Sequence, residues 1–129
     1  MERFLRYFPM TILIIDDEPT ILAMLEELLA NRGYVVQTAA SAQEATKKIE
    51  RFTFDLILTD MRMETPTAGY DVVRAAKATS YNPVVAILTA FPLPSMDWRS
   101  AGADALFMKG DNVDTMIGHL QRLLRTKRA

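Results

Sequence analysis

The sequence of 129 residues contains no cysteine, which excludes disulfide bonds, zinc–thiolate sites and cysteine nucleophiles. This composition fits a reducing compartment. The sequence has a single histidine, His119, which excludes a metal site built from several histidines and offers no catalytic dyad. Neither sign of charge is in excess, with 15 Lys and Arg against 16 Asp and Glu, so no net field attracts nucleic acid or an anionic membrane. We therefore expect the chain to bind neither nucleic acid nor a membrane directly.

Long hydrophobic runs are also missing. The apolar stretch 8–15 falls short of the roughly 20 residues that span a bilayer. It contains Pro9 and stops at Asp16 without the small-residue cleavage site of a signal peptide. We therefore expect a chain located in the cytoplasm.

The length of the chain, at roughly 150 residues per domain, predicts a single domain. The expected division is an N-terminal extension (1–10), one domain (11–126) and a basic C-terminal tail (127–129). The aromatic residues of the extension, which we expect to pack on the domain or on a neighbour, are Phe4, Tyr7 and Phe8.

Short apolar runs alternate with helical patterns along the whole chain. The runs, apolar on both faces as in the strands of a covered parallel sheet, are 11–15, 34–38, 55–59, 83–88 and 104–108. Helical patterns follow them at about 19–30, 42–51, 70–78, 95–101 and from 113 onward. Five strands alternating with five helices predict an α/β fold with a doubly wound, (βα)5 parallel sheet of five strands. The flavodoxin-like strand order 2-1-3-4-5 is expected.

Polar residues stand where four of the predicted strands end. They are Asp16 and Asp17 after the first strand, Asp60 after the third, Thr89 after the fourth and Lys109 after the fifth. Because strands one and three are neighbours in this order, their three carboxylates meet at the edge where open parallel sheets bind ligands. Carboxylates that crowd together repel, and Mg²⁺ is the natural partner for them.

A carboxylate cluster, a metal, an ammonium group and a hydroxyl are together what a transferring phosphoryl group requires, since such catalysis is mostly positioning and charge neutralisation. Lys109 supplies the ammonium group and Thr89 the hydroxyl. Asp60 would then act as the nucleophile and form an acyl phosphate.

Four segments carry a family resemblance: 12–19, 55–63, 88–90, and 102–105 followed by Lys109. Together they resemble the receiver domains of two-component response regulators, over about residues 11–125. The resemblance implies that Asp60 is the phosphoacceptor, and that Thr89 and Lys109 bind the phosphoryl group as a switch pair. It implies a Mg²⁺ site formed by Asp17, Asp60 and the backbone carbonyl of Arg62, with Asp16 acting through a metal-bound water.

The partners implied by the resemblance are a phosphodonor and an output partner. The donor is a phosphohistidine on a sensor histidine kinase or a phosphotransfer protein. The sequence does not identify the output partner or effector domain. A homodimer would form through helix 4, strand 5 and helix 5.

The chain departs from the family pattern at several positions of this signalling surface. Leu106 stands where the family has an aromatic switch residue, and Phe107 beside it is expected on the opposite face of the strand. Gly110 follows Lys109 where the family has a cis proline, and we expect a trans bond because a non-proline cis bond costs about 2.5–4 kcal/mol. We therefore expect phosphorylation to be retained and its readout to be altered.

The loop after the phosphoacceptor also differs from the family. Glu64 occupies the position where the family commonly has proline, and Gly69 indicates one extra loop residue. Arg62 and Phe91 stand two residues beyond Asp60 and Thr89, at positions that in the family flank the path of the attacking water. We expect these two bulky side chains to shield the acyl phosphate and slow its hydrolysis.

Two alternatives to a phosphorylated receiver remain open. A pseudo-receiver would bind partners without being phosphorylated, and Leu106 and Gly110 leave room for it. A phosphohydrolase of the haloacid dehalogenase type also uses an aspartyl nucleophile, but it requires Asp-x-Asp where this chain has Asp16, Asp17 and Glu18. A flavin or dinucleotide binder is disfavoured because no glycine-rich loop follows the first strand. The receiver interpretation predicts self-catalysed phosphorylation and dephosphorylation rather than enzymatic turnover.

Overall fold

A parallel sheet of five strands, in the order β2-β1-β3-β4-β5, forms the centre of the molecule. The computed structural model describes residues 9–128. The strands are β1 (Thr11–Ile15), β2 (Val35–Ala39), β3 (Leu56–Thr59), β4 (Val84–Thr89) and β5 (Ala105–Met108). The helices are α1 (Pro19–Ala30), α2 (Ala42–Arg51), α3 (Ala68–Lys77), α4 (Ser95–Ala101) and α5 (Val113–Arg128). The predicted fold class and strand order are confirmed.

The ends of the chain are described in part. Most of the predicted extension, including Phe4, Tyr7 and Phe8, lies outside the described residues. At the other end, α5 continues through Lys127 to Arg128, into the stretch set apart as a basic tail. The Lys127 ammonium donates to the Pro83 carbonyl at 2.8 Å, which ties the end of this helix to the start of β4. Among residues 9–128, no helix has both the length and the apolar character needed to cross a membrane.

Side chains of the strands alternate between two cores, one on each face of the sheet. Helices α2, α3 and α4 cover the face that carries Leu13, Ile15, Ile57, Val85 and Ile87. Helices α1 and α5 cover the face that carries Ile12, Ile14, Leu56, Leu58 and Leu88. Because both faces are buried, the inner strands β1, β3 and β4 are apolar apart from one terminal threonine each, and they were recognisable as continuous hydrophobic runs. The edge strand β2 is less apolar and contains Gln37 and Thr38.

Several element boundaries differ from the prediction by one or two residues. Strand β2 begins at Val35 rather than Tyr34, because the Tyr34 amide still bonds back to the Leu29 carbonyl at the end of α1. Helix α3 begins at Ala68 rather than at residue 70. The placement of Gly69 in the loop was therefore wrong: its amide bonds to the Met61 carbonyl at 2.8 Å and it lies in the first turn of the helix.

Two tyrosine hydroxyls have opposite surroundings and predict opposite effects on stability. Tyr81 donates to the Ile49 carbonyl at 2.9 Å, whereas the Tyr70 hydroxyl is buried without a partner among the described residues. A buried unsatisfied polar group costs about 1–3 kcal/mol, and a typical hydrogen bond contributes about 1 kcal/mol. We expect Tyr70→Phe to raise the free energy of unfolding by about 1 kcal/mol and Tyr81→Phe to lower it by a similar amount. Urea unfolding measures both, and a loss of stability in Tyr70→Phe would contradict the assignment.

Candidate functional site

The carboxyl ends of the strands bring the predicted polar residues to one edge of the sheet. The parallel register aligns Ile15 with Thr59 and Thr89 with Met108. Strands β1, β3 and β5 each continue by one residue into the site, whereas β4 ends at its site residue, Thr89. The Asp60 amide donates to the Ile15 carbonyl at 2.8 Å. Backbone pairing therefore determines how far apart the carboxylates of β1 and β3 lie.

Lys109 is the centre of the site. Its ammonium nitrogen lies 2.7 Å from Asp16 Oδ2, 3.1 Å from Asp60 Oδ2 and 3.3 Å from Glu18 Oε1. Both aspartates are buried, with exposed fractions of 2% for Asp16 and 6% for Asp60. The structure therefore brings three of the sequence-predicted residues into direct contact.

The second oxygen of each buried carboxylate is held by the backbone. Asp60 Oδ1 accepts from the Met61 amide at 2.8 Å, and Asp16 Oδ1 accepts from the Glu18 amide at 2.9 Å. Each carboxylate thus has one oxygen on a rigid amide and one facing Lys109. This arrangement holds the Asp60 oxygen that faces the pocket in one orientation.

The electrostatics of the pocket leave it with surplus negative charge. Burial by itself would lower the pKa of Lys109, but its hydrogen bonds and charge interactions with Asp16 and Asp60 outweigh burial and raise that pKa above the usual 10.5. Burial raises the pKa of the Asp16 carboxyl, while the hydrogen bonds from Lys109 and from the Glu18 amide oppose this effect. One ammonium group therefore faces several carboxylates, and the pocket favours a further cation.

The donor set of this pocket fits Mg²⁺. The carboxylate oxygens of Asp16, Asp17 and Glu18 lie within 4.8 Å of one another, and Asp60 is joined to this group through Lys109. Asp17 and Glu18 are exposed, so water has access, as Mg²⁺ requires because it retains several waters. The prediction did not assign Glu18 to the site. The acidic run at the end of β1 was the available signal, but Glu18 also precedes α1 and reads equally well as an acidic helix start.

Thr89 lies in the last position of β4 and is almost fully buried, with an exposed fraction of 1%. Its Oγ1 accepts a hydrogen bond from the Phe91 amide at 3.2 Å, and its carbonyl accepts from the Lys109 amide at 2.8 Å. Within residues 9–128, the hydroxyl is therefore held by its own loop rather than by Asp60 or the Lys109 side chain.

Arg62 and Phe91, which stand two residues beyond Asp60 and Thr89, contact each other through their side chains. The guanidinium carbon of Arg62 lies 3.9 Å from the centre of the Phe91 ring, a cation–π geometry. The contact joins the loop after β3 to the loop after β4. Nothing in the sequence predicted that these two positions touch, because each was placed only by its distance from Asp60 or Thr89.

On β5, Leu106 and Phe107 lie on opposite faces of the sheet, as the sequence predicted. Leu106 packs on the α2–α3–α4 face of the sheet, and Phe107 on the α1–α5 face, where its ring meets His119 edge-on at 5.3 Å. Gly110 has φ +96°, and the described residues contain no cis peptide bond. Proline cannot adopt that φ, which explains why this backbone path suits glycine. Trp98 of α4 is buried in the α2–α3–α4 core.

An open parallel sheet with a buried carboxylate pair and a lysine at its carboxyl edge defines a narrow class of proteins. Residues 12–121 match the family model of the response regulator receiver domain. The chain belongs to this family of two-component signalling domains. Receiver domains are not classical enzymes, and the assignment gives no support to the phosphohydrolase and pseudo-receiver alternatives.

Curated relatives are longer than this chain. It is 34% identical over 118 residues to the gliding motility regulatory protein of Myxococcus xanthus. The matched region makes up 87% of this chain and 15% of that protein. It is 32% identical over 114 residues to the response regulator protein PilR of Pseudomonas aeruginosa. The matched region makes up 88% of this chain and 25% of that protein. The chain thus spans a quarter or less of the length of these two relatives.

Solved structures of similar size share the fold. A CheY-like receiver domain protein from Methanospirillum hungatei has a TM-score of 0.86 and 28% identity, over 94% of this chain and 98% of that one. The response regulator TrrA of Thermotoga maritima, solved in complex with Mg(2+)-BeF, has a TM-score of 0.78 and 30% identity, over 88% of this chain and 98% of that one.

Proposed function

We propose that the chain is a phosphorylated switch in which Asp60 accepts a phosphoryl group from a phosphohistidine. The donor is a sensor histidine kinase or a phosphotransfer protein, and the phosphorylated state alters the binding of an output partner. The observation that carries this proposal is the contact of Lys109 Nζ with Asp60 Oδ2 at 3.1 Å inside a buried acidic pocket. It supports a nucleophilic carboxylate with a fixed positive charge beside the oxygen that would react.

In the proposed reaction, an Asp60 oxygen forms a bond to phosphorus while the phosphorus–nitrogen bond of the donor breaks and leaves its electron pair on the imidazole. The Met61 amide keeps the other Asp60 oxygen in place. Lys109 neutralises charge that develops on the phosphoryl oxygens. Because the Thr89 hydroxyl accepts a hydrogen bond in this structure, its own proton remains available for donation to one of those oxygens.

Magnesium would be held by Asp17, Asp60 and the backbone carbonyl of Arg62, with Asp16 acting through a bound water. A bound Mg²⁺ would supply positive charge that offsets the negative charges of Asp60 and the phosphoryl oxygens. The oxygen donors and open rim of the pocket support this role, as does the Mg(2+)-BeF complex of the TrrA relative.

The proposed function is tested by measuring the intact mass of the chain after incubation with Mg²⁺ and acetyl phosphate. We expect a gain of one phosphoryl group that requires Mg²⁺ and then decays by self-catalysed hydrolysis. No gain under conditions where Mg²⁺ binds would favour a pseudo-receiver. Sustained turnover of a generic phosphate ester such as p-nitrophenyl phosphate would favour the phosphohydrolase.

The lifetime of the acyl phosphate is proposed to depend on the Arg62–Phe91 contact. Phe91→Ala removes the ring against which the Arg62 guanidinium group is held. An exposed cation–π contact is worth about 0.5–1 kcal/mol, so we expect dephosphorylation to accelerate by about 2- to 5-fold. Met96→Ala, which truncates another exposed apolar side chain of the same region, is the matched control. An unchanged decay rate in Phe91→Ala would count against shielding.

The output surface is proposed to be the one formed by α4, β5 and α5, which would also serve a homodimer. Its composition supports an altered readout, because Phe107 packs against His119 on the α1–α5 side of the sheet and Leu106 replaces the usual aromatic switch. The cytoplasmic location expected from the sequence is part of this proposal.

A further inference from the structure

We propose that Glu64 is a positioning residue for Mg²⁺: it anchors the loop 61–67 to α2 and thereby holds the Arg62 carbonyl in place. The inference rests on the proposed function, since it concerns the same metal site. It is carried by a contact that spans more than twenty residues of sequence. Glu64 Oε1 accepts from the Ala42 amide and Glu64 Oε2 from the Gln43 amide, each at 2.9 Å.

Both oxygens of the Glu64 carboxylate are therefore used on the first turn of α2. The first amides of a helix have no partners within the helix, and the helix dipole favours a negative charge beside them. Burial by itself would raise the pKa of the Glu64 carboxyl, but its backbone hydrogen bonds, including those from the Ala42 and Gln43 amides, outweigh burial and lower that pKa. A bidentate contact to two consecutive amides holds Glu64 in both position and orientation.

The residues around the start of α2 supply a cap of their own, which acts on other amides than those bound by Glu64. Ser41 Oγ accepts from the Glu44 amide at 3.1 Å, and a Glu44 carboxylate oxygen lies 3.4 Å from the Ala40 amide. Ser41 thus caps the third residue of the helix and Glu44 reaches the residue before the cap, while the Ala42 and Gln43 amides are satisfied by Glu64. The Glu64 contact therefore satisfies two amides at the start of α2 and, at the same time, ties the loop that carries Arg62 to this helix.

The loop is held at a second place as well. The Gly69 amide donates to the Met61 carbonyl at 2.8 Å, and the Met63 amide to the Thr65 carbonyl at 3.1 Å. Arg62 lies between the Met61–Gly69 bond and the Glu64 anchor. Its backbone is thus constrained on both sides, and its side chain is in addition stacked on Phe91.

The residue type fits this role. Proline, the common family residue here, restricts the backbone through its ring. Glu64 has no such restriction, and its side chain instead connects the loop to a neighbouring helix. A covalent constraint is replaced by two hydrogen bonds, and the metal-binding geometry then depends on a side chain that does not touch the metal.

The test compares Mg²⁺ binding to the full chain and its variants by calorimetric titration with MgCl₂ alone. Residues that orient metal ligands typically change affinity by 10- to 100-fold, and Glu64 acts on a single carbonyl ligand. We therefore expect Glu64→Ala to weaken Mg²⁺ binding by about tenfold. Glu64→Gln retains one acceptor oxygen and is expected to lose less.

Ser41→Ala is the matched control, because it removes a cap from the same helix end without releasing the loop. We expect it to lower the stability of the chain and leave Mg²⁺ affinity unchanged. Parent affinity in Glu64→Ala, or an equal loss in Ser41→Ala, would overturn the positioning role. Should the parent itself fail to bind Mg²⁺, the proposed function fails with it, and the two failures are thereby distinguishable.

Discussion

Replacing Asp60 by asparagine is expected to abolish the gain of a phosphoryl group, because the amide lacks the nucleophilic oxygen that forms the acyl phosphate. The substitution is nearly isosteric, and its side-chain oxygen can still accept from the Met61 amide as Asp60 does. The loss should therefore be chemical rather than structural. Intact mass after incubation with Mg²⁺ and acetyl phosphate measures it, with incorporation falling to the background level.

The stability of Asp60→Asn distinguishes loss of chemistry from loss of fold. Asp16 remains 2.7 Å from Lys109 and continues to neutralise it. Removal of the second carboxylate relieves repulsion between two buried groups of like charge. We expect the free energy of unfolding not to fall. Asp71→Asn is the matched control, because Asp71 lies on α3 and pairs with Arg74 away from the pocket; its phosphorylation should equal that of the parent. Incorporation by Asp60→Asn at the parent level would rule out Asp60 as the phosphoacceptor.

Gly69→Ala is expected to destabilise the chain by about 3 kcal/mol, although alanine is normally the better helix residue. A Cβ at Gly69 would lie 2.5 Å from the Asp60 carbonyl oxygen and 2.8 Å from Met61 Cα. Both are backbone atoms of the segment that enters the site, so no side-chain rotation can relieve the clash. Relief would require a shift of the backbone that carries the nucleophile, and urea unfolding measures the cost.

Gly118→Ala is expected to change the free energy of unfolding in the opposite direction. Gly118 lies within α5, and a Cβ there would approach only the flexible end of the Arg122 side chain, at 3.9 Å. We expect it to raise the free energy of unfolding by about 0.5–1 kcal/mol, the usual advantage of alanine over glycine in a helix. Equal effects of the two substitutions would show that the close packing of Gly69 against Asp60 does not determine its cost.

Much of the fold could be predicted because both faces of the sheet are covered. Runs such as Thr11–Ile15 and Val84–Thr89 are apolar at every position or nearly so, and their order along the chain leaves few topologies once crossovers are right-handed. Helix starts with local signals were also accessible, including the Ser41 cap on the Glu44 amide. The start of α3 was missed, because the bond that places it joins Gly69 to Met61 across a loop.

The candidate site was predictable to the extent that strand ends converge. Asp16, Asp60 and Lys109 each follow a strand directly, and parallel pairing then brings them together. Contacts made by loops were not predictable, since loop conformation is not periodic. Arg62 on Phe91 and Glu64 on the start of α2 both belong to this group, and both depend on where a loop turns in three dimensions.

The sequence by itself determined the order of strands and helices, the edge at which charged residues collect and the absence of thiol chemistry. The first two properties follow from periodicity and from the residues that directly follow each strand, and the third follows from the lack of cysteine. None of them requires knowledge of side-chain direction. Only the tertiary structure decided that Lys109 bridges Asp16 and Asp60, and that Glu64 anchors the neighbouring loop. The physical reason is that hydrogen bonds and ion pairs depend on distances of a few tenths of an ångström, which packing of the whole chain sets.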